Sequence, residues 1–180
     1  IPYPIIECQF LSIEAENEAS KADIDTKNRI VTLKLNEQAN LQNVRIKNYK
    51  ITEGAKLSDN ISDGLNLSSE AYGVVLSLYQ DYTWHIKAQQ NIERYLTISG
   101  QVGESIIDVP ARRVVAYVAK SADLTKIKVL TMKLGPSQVS TTVPVLEGET
   151  VDFSAPVKVK ITYHNQVEEW TIFVEPSDQD

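Results

Sequence analysis

The sequence predicts an all-β chain folded as two tandem antiparallel β-sandwiches, and three observations carry that reading. Apolar and polar residues alternate with period two in short runs, and turn-forming residues interrupt those runs roughly every 8–12 residues. The two halves also match when the only two tryptophans, Trp84 in "YQDYTWHI" and Trp170 in "NQVEEWTIF", are superposed. With 180 residues, 42% of them hydrophobic, the chain can bury a sizeable core, which argues against disorder.

The elements follow in order. "IPYPIIE" is a lead-in linker: Pro2 and Pro4 fix φ and lack donors, so the segment stays extended until "ECQFLSI" can pair. Cys8 lies in that first strand and reads as a buried thiol; as the sole cysteine it excludes an internal disulfide. "RIVTLKL" sets Val31, Leu33 and Leu35 against Ile30, Thr32 and Lys34, which gives one dry and one wet face. "NEQAN", "ITEGAKLSDNISDG" and "KLGPSQ" supply the Asn, Asp, Gly and Pro of turns. In the closing strands Trp84 and Ile86 point inward with His85 and Lys87 outward, and Trp170 and Ile172 point inward with Thr171 outward. "VKVKITY" alternates in the same way. "IKAQQNIERYL" is the nearest approach to a helix, but Ile86, Ile92 and Leu96 do not share one face. The boundary is expected at Gln89–Glu93, giving modules 1–90 and 91–180 joined by a short connection without a Gly, Ser or Pro run.

The internal match extends beyond the tryptophans. It superposes Asp25 on Asp108, Arg29 on Arg112, Val31 on Val114 and Leu41 on Leu124, then, with three extra residues near "STTVPVLEGE", Leu65 on Val151 and Ser68 on Ser154. At the front, "FLSI" is laid on "YLTI", Phe10 over Tyr95. A tryptophan repeated at one position of a closing strand is expected to anchor a core.

The strings "DYTWHIKAQQNIERYLTISGQVGESIID", "KLGPSQVSTTVP" and "VDFSAPVKVKITYHNQVEEWTI" resemble the tandem immunoglobulin-like N-terminal region of Bacteroidetes surface lipoproteins. The resemblance covers about Ile5 to Glu175. It implies two immunoglobulin-like sandwiches and an extracytoplasmic, cell-surface location at the outer membrane. It also implies a signal peptide and lipid cysteine upstream of Ile1, and a jelly-roll-like module associated with carbohydrate beyond Asp180. That module and a glycan or surface protein are then the implied partners, and the implied role is a spacer or interaction region.

Chemistry is sparse. The net charge of −6, from 18 basic and 24 acidic residues without long runs, gives no attraction to phosphate backbones, so nucleic acid is not an expected partner. No apolar run reaches the ~18 residues of a membrane span. His85 and His164 fall in different halves and do not converge; His164 beside Asn165 reads as a hairpin turn. Glu168 and Glu169 are adjacent and therefore face opposite sides of a strand, unlike a glycosidase pair. From Asp59 to Glu70 the acids and Gly64 follow the spacing of a calcium loop, but Ile61 offers no oxygen where a ligand is needed, so an ordinary turn is expected. Asp25 and Asp108 read as a repeated turn cap. The chain is not read as an enzyme, and no cofactor or metal is assigned. The candidate glycan contacts are Tyr79 and Tyr82, near the last hairpin of the first half with Tyr72, where exposed aromatic rings could stack on sugars.

Overall fold

The alternating runs fold as strands, because period two presents every second side chain to one dry face while the backbone pairs sideways. The computed structural model describes residues 6–178, and among them every regular element is a strand. The chain divides into two units, Ile1–Asn91 and Ile92–Asp180. The first contains β1 (Phe10–Ala15), β2 (Glu18–Asp25), β3 (Ile30–Leu35), β4 (Ile46–Ile51), β5 (Lys56–Leu57), β6 (Tyr72–Leu78) and β7 (Gln80–Gln90). The second contains β8 (Tyr95–Ile98), β9 (Ile106–Asp108), β10 (Arg113–Val118), β11 (Ile127–Lys133), β12 (Thr141–Val143), β13 (Thr150–Val151), β14 (Val157–Tyr163) and β15 (Gln166–Pro176).

Each unit has a five-stranded sheet and a smaller one. The orders are β5-β6-β7-β3-β2 with β1-β4, and β12-β14-β15-β10-β9 with β13-β11-β8. Inward residues of both sheets meet in one core per unit: Phe10, Ile13, Val31, Leu33, Val74 and Trp84 in the first, Leu96, Val114, Val129, Ile161 and Trp170 in the second. The arrangement is that of a β-sandwich.

The internal match survives at the level of pairing. Val31 lies opposite Ile86, and Val114 opposite Ile172. Val44 bridges Leu65, and Ile127 pairs with Val151, so the three extra residues enter between β11 and β13. Two sequence readings need correction. The five-stranded sheets are not wholly antiparallel, since β3 runs parallel to β7 and β10 parallel to β15. After β3 the chain crosses to the small sheet and comes back on the far side, so the second strand of the closing hairpin enters beside β3 in the same direction; alternation carries no information about that direction. The front strands also slip by two residues. Glu16 N–H bonds Arg45 O as Ser99 N–H bonds Lys128 O, both at 2.9 Å, which places Ser12, not Phe10, on Tyr95. A slip of two preserves parity along a regular strand, but an irregularity between Phe10 and Ser12 turns Phe10 inward where Tyr95 is exposed, and apolar alternation does not announce such a bulge.

Candidate functional site

Both tryptophans are core anchors, 0% exposed. The Trp84 indole N–H donates to Cys8 O at 3.0 Å, and Phe10 meets its ring edge-on at 5.4 Å. The Trp170 N–H donates to Glu168 Oε1 at 3.1 Å, and the Arg94 guanidinium lies 5.6 Å from its ring centre. Ile86 and Ile172 are buried beside them, while His85 and Lys87 face outward. Cys8, just ahead of β1, is buried.

The two candidate tyrosines separate. Tyr79 sits at the tip between β6 and β7, 90% exposed, with φ of 66°. Tyr82 is corrected: it is 6% exposed, and the Arg29 guanidinium covers its ring at 4.8 Å. The reason is parity, because Tyr82, Trp84 and Ile86 occupy one side of β7, all buried. Sequence parity with Trp84 already contained that answer. Tyr72, on β6, donates its hydroxyl to Asp59 Oδ2 at 2.8 Å, which raises the phenol above its ordinary value.

In the second unit Asn165 takes the place of Tyr79, with φ of 62°, and Glu168 the place of Tyr82. Glu168 accepts from the Tyr163 hydroxyl at 2.8 Å as well as from Trp170, and Arg112 approaches it at 3.6 Å. Burial first, then the Glu168 contact, pushes Tyr163 up to about 12. His164, with φ of 47°, is in the hairpin turn as expected; its Nε2 is buried and has no hydrogen-bond partner. Glu169 lies on the opposite face, 3.4 Å from Lys158, so the adjacent carboxylates do not converge.

Other acids are occupied by local turns. Asp25 Oδ1 accepts from Asn28 N–H at 3.0 Å and Asp108 Oδ1 from Ala111 N–H at 3.1 Å, so the repeated cap is the same turn built twice. Between Asp59 and Glu70, Ile61 is 0% exposed and belongs to the core, while Asp63 accepts from Asn60 and Asp59 from Tyr72. Among the described residues no group of three or more His, Cys, Asp or Glu side chains could hold a metal ion.

A feature that the sequence reading missed recurs beside the front strands. Where β1 turns into β2, a groove of about 530 Å³ opens, and where β8 leads to β9, one of about 650 Å³. In the first, Ala15 N–H donates to Glu18 Oε1 at 2.9 Å; in the second, Ile98 N–H donates to Gln101 Oε1 at 3.0 Å. Gln101 Nε2 then donates to Ser105 Oγ at 3.0 Å, and Ser105 donates to Leu96 O at 2.6 Å. Glu18 and Gln101 stand at the same offset as Val31 and Val114, a signal the sequence holds once strand edges are known. No protein-family model matches the chain, and a search of curated proteins returns no match.

Proposed function

We propose that the chain is a non-catalytic pair of immunoglobulin-like modules, the spacer and interaction region of a cell-surface lipoprotein linked to glycan capture or adhesion. The observation that carries this reading is the use of the polar side chains. In both units they cap the same turns and the same strand edges around one buried tryptophan, as at Asp25 and Asp108 or Glu18 and Gln101. Side chains committed to rebuilding one scaffold twice suit a part that presents a neighbouring module. The resemblance to lipoprotein N-terminal regions supports the location.

The test is protease shaving of intact cells that express the native gene, together with labelling by a palmitate analogue. Surface cleavage and label incorporation are expected; an unlabelled protein protected inside the cell overturns the location. A second reading, a carbohydrate-binding module, is favoured by one residue: Tyr79, 90% exposed and aromatic at a hairpin tip. Saturable binding of the 180-residue chain to a glycan array, abolished by Tyr79→Ala, would replace the spacer reading with this one.

A further inference from the structure

The small sheet of the second unit ends at β8, whose outer edge faces the groove toward β9. Leu96 and Ile98, two residues apart, direct backbone groups to the same edge. Those groups are met by a neutral amide and a hydroxyl: Gln101 Oε1 takes the Ile98 N–H, and the Ser105 O–H takes the Leu96 carbonyl. Gln101 Nε2 joins the two through Ser105 Oγ. An acceptor and a donor held in this way reproduce what a neighbouring strand's peptide groups would offer.

We infer that the β8 edge accepts an extended polypeptide strand from a partner protein, with the Gln101 side chain moving aside as peptide groups replace it. The exchange is like for like, one neutral acceptor and one neutral donor for another. The backbone of Gly100–Val102 can stay in place: Gln101 bridges Val118, Val102 N–H bonds Tyr117 O at 2.7 Å, and Ala119 N–H bonds Gly100 O at 3.0 Å. Gln101 leaves by side-chain rotation, whereas Ser105, whose hydroxyl is 2.6 Å from Leu96 O on a one-carbon side chain, withdraws together with the backbone of residues 103–105. Ile107 and Leu130 line the groove, Leu130 with 50% of its surface open, and offer apolar contact to alternate side chains of an added strand.

The first unit supplies the contrast. At the same offsets Glu18 stands for Gln101, Glu14 for Thr97 and Lys47 for Leu130. Glu14 on β1 and Lys47 on its paired strand β4 approach to 3.8 Å on the exposed face beside that edge. Charged side chains are the ordinary guard against strand addition. Displacing the Glu18 carboxylate would also set a charge loose beside an incoming carbonyl. The second edge lacks these guards; its remaining charges, Arg94 and Glu104, line the groove, and Arg94 is already engaged by Leu134 O at 2.9 Å. A polypeptide is favoured over a sugar because the groups to be replaced have peptide chemistry on both sides.

This inference names a partner class for the interaction role proposed above and rests on it there alone: a pure spacer would give no binding here and still pass the surface-exposure test. The experiment is amide NMR of the ¹⁵N-labelled chain titrated with a capped, uncharged peptide of alternating threonine and valine, flanked by glutamines. Saturable shifts are expected at Leu96, Ile98, Ser105 and the Gln101 side-chain amide, with Ala15 and Glu18 unmoved. The double variant Thr97→Glu, Gln101→Glu, which copies the first edge, should weaken binding roughly tenfold or more. Its thermal midpoint should fall only slightly, since Glu18 already caps the equivalent N–H and the Thr97–Thr131 hydroxyl contact that is lost is exposed. Absence of saturable shifts, equal shifts at both edges, or shifts produced by soluble oligosaccharides and not by the peptide would each overturn the proposal.

Discussion

Tyr82 of the first unit and Glu168 of the second occupy one position on the closing strand, each beside the same turn arginine, and they are chemical opposites. Arg29 and Arg112 have matching left-handed backbones, φ 56° and 55°, and their carbonyls accept from His85 N–H and Thr171 N–H at 3.0 Å. Above that shared backbone, Arg29 lies over an aromatic ring, whereas Arg112 pairs with a carboxylate. The tryptophan partner changes with it. In the first unit the segment at Cys8–Phe10 reaches over Trp84 and supplies a carbonyl; in the second, Arg94 covers the ring and Glu168 takes the indole N–H. The difference teaches that backbone turns and the apolar anchor define this fold, while the polar corner beside the anchor is exchangeable provided every buried donor finds an acceptor.

The largest effect that sharpens this comparison comes from removing the anchors. Trp84→Ala and Trp170→Ala should each cost about 3–5 kcal/mol in the unit that carries the change. Amide exchange read separately over the two units measures it, and protection lost equally in both would contradict one core per unit. Replacement by phenylalanine divides the pair. Trp84→Phe leaves Cys8 O without its donor, whereas after Trp170→Phe Glu168 keeps Tyr163 and Arg112. The first substitution should therefore be the more costly.

A smaller effect breaks the symmetry at Gly135. A Cβ there would stand 2.6 Å from Ile161 Cγ2 and 2.9 Å from Ser140 Oγ. The first unit tolerates Thr52 at the same offset, where the hydroxyl accepts Gln9 N–H at 2.9 Å. Gly135→Ala should destabilise the second unit by roughly 1–3 kcal/mol through overpacking, read as a lower denaturant midpoint for that unit. An unchanged midpoint would mean that the contact relaxes freely.

Which of these features were legible in the sequence depends on what alternation can encode. The inward sets, the matched tryptophans and the Asp25 and Asp108 caps follow from period two and offset, and the structure has them. Tyr82 is legible too, since it shares parity with Trp84, a signal that outweighs its place among other tyrosines. The parallel pairing of Val31 with Ile86 was not, because a strand's own pattern is the same whichever way its neighbour runs. Nor was the Gln101–Ser105 pair, whose role exists only because β8 is an edge.

Next in size are the responses to pH, which should differ at equivalent positions of the two units. Tyr163 is held near 12, above the ordinary ~10 of a free tyrosine. The folded state therefore resists ionisation that the unfolded chain undergoes, and this contribution, intact below ~pH 10, is lost as pH climbs toward 12. Ser77 stands at the equivalent place in the first unit and has no such response. At the acid end, the Thr125 hydroxyl and the Ser154 hydroxyl hold Asp123 and Asp152 below the usual carboxylate range. The turns they stabilise are intact above ~pH 4 and weaken as pH falls through the lowered values. Asn40 and Asn66 take these places in the first unit. Amide exchange at Thr125 and Ser154 should quicken in acid relative to Gln42 and Ser68, and Asp123→Asn with Asp152→Asn should remove the difference.

The smallest change tests Tyr79, the most exposed aromatic among the described residues. Tyr79 and Asn165 have nearly the same left-handed backbone, φ 66° and 62°, but asparagine tolerates that region and tyrosine does so at a cost. With 90% of Tyr79 exposed, little packing offsets the cost. Tyr79→Asn should therefore stabilise the first unit by about 0.5–1 kcal/mol. A lower thermal midpoint would show that the ring makes a contact worth more than the backbone strain. A higher midpoint accompanied by loss of glycan-array binding would instead mark the strain as retained for a ligand, since strained residues persist where function requires them. A higher midpoint with array signals unchanged would leave the tip as a turn that asparagine serves better, and would return the question of partners to the unguarded edge of β8.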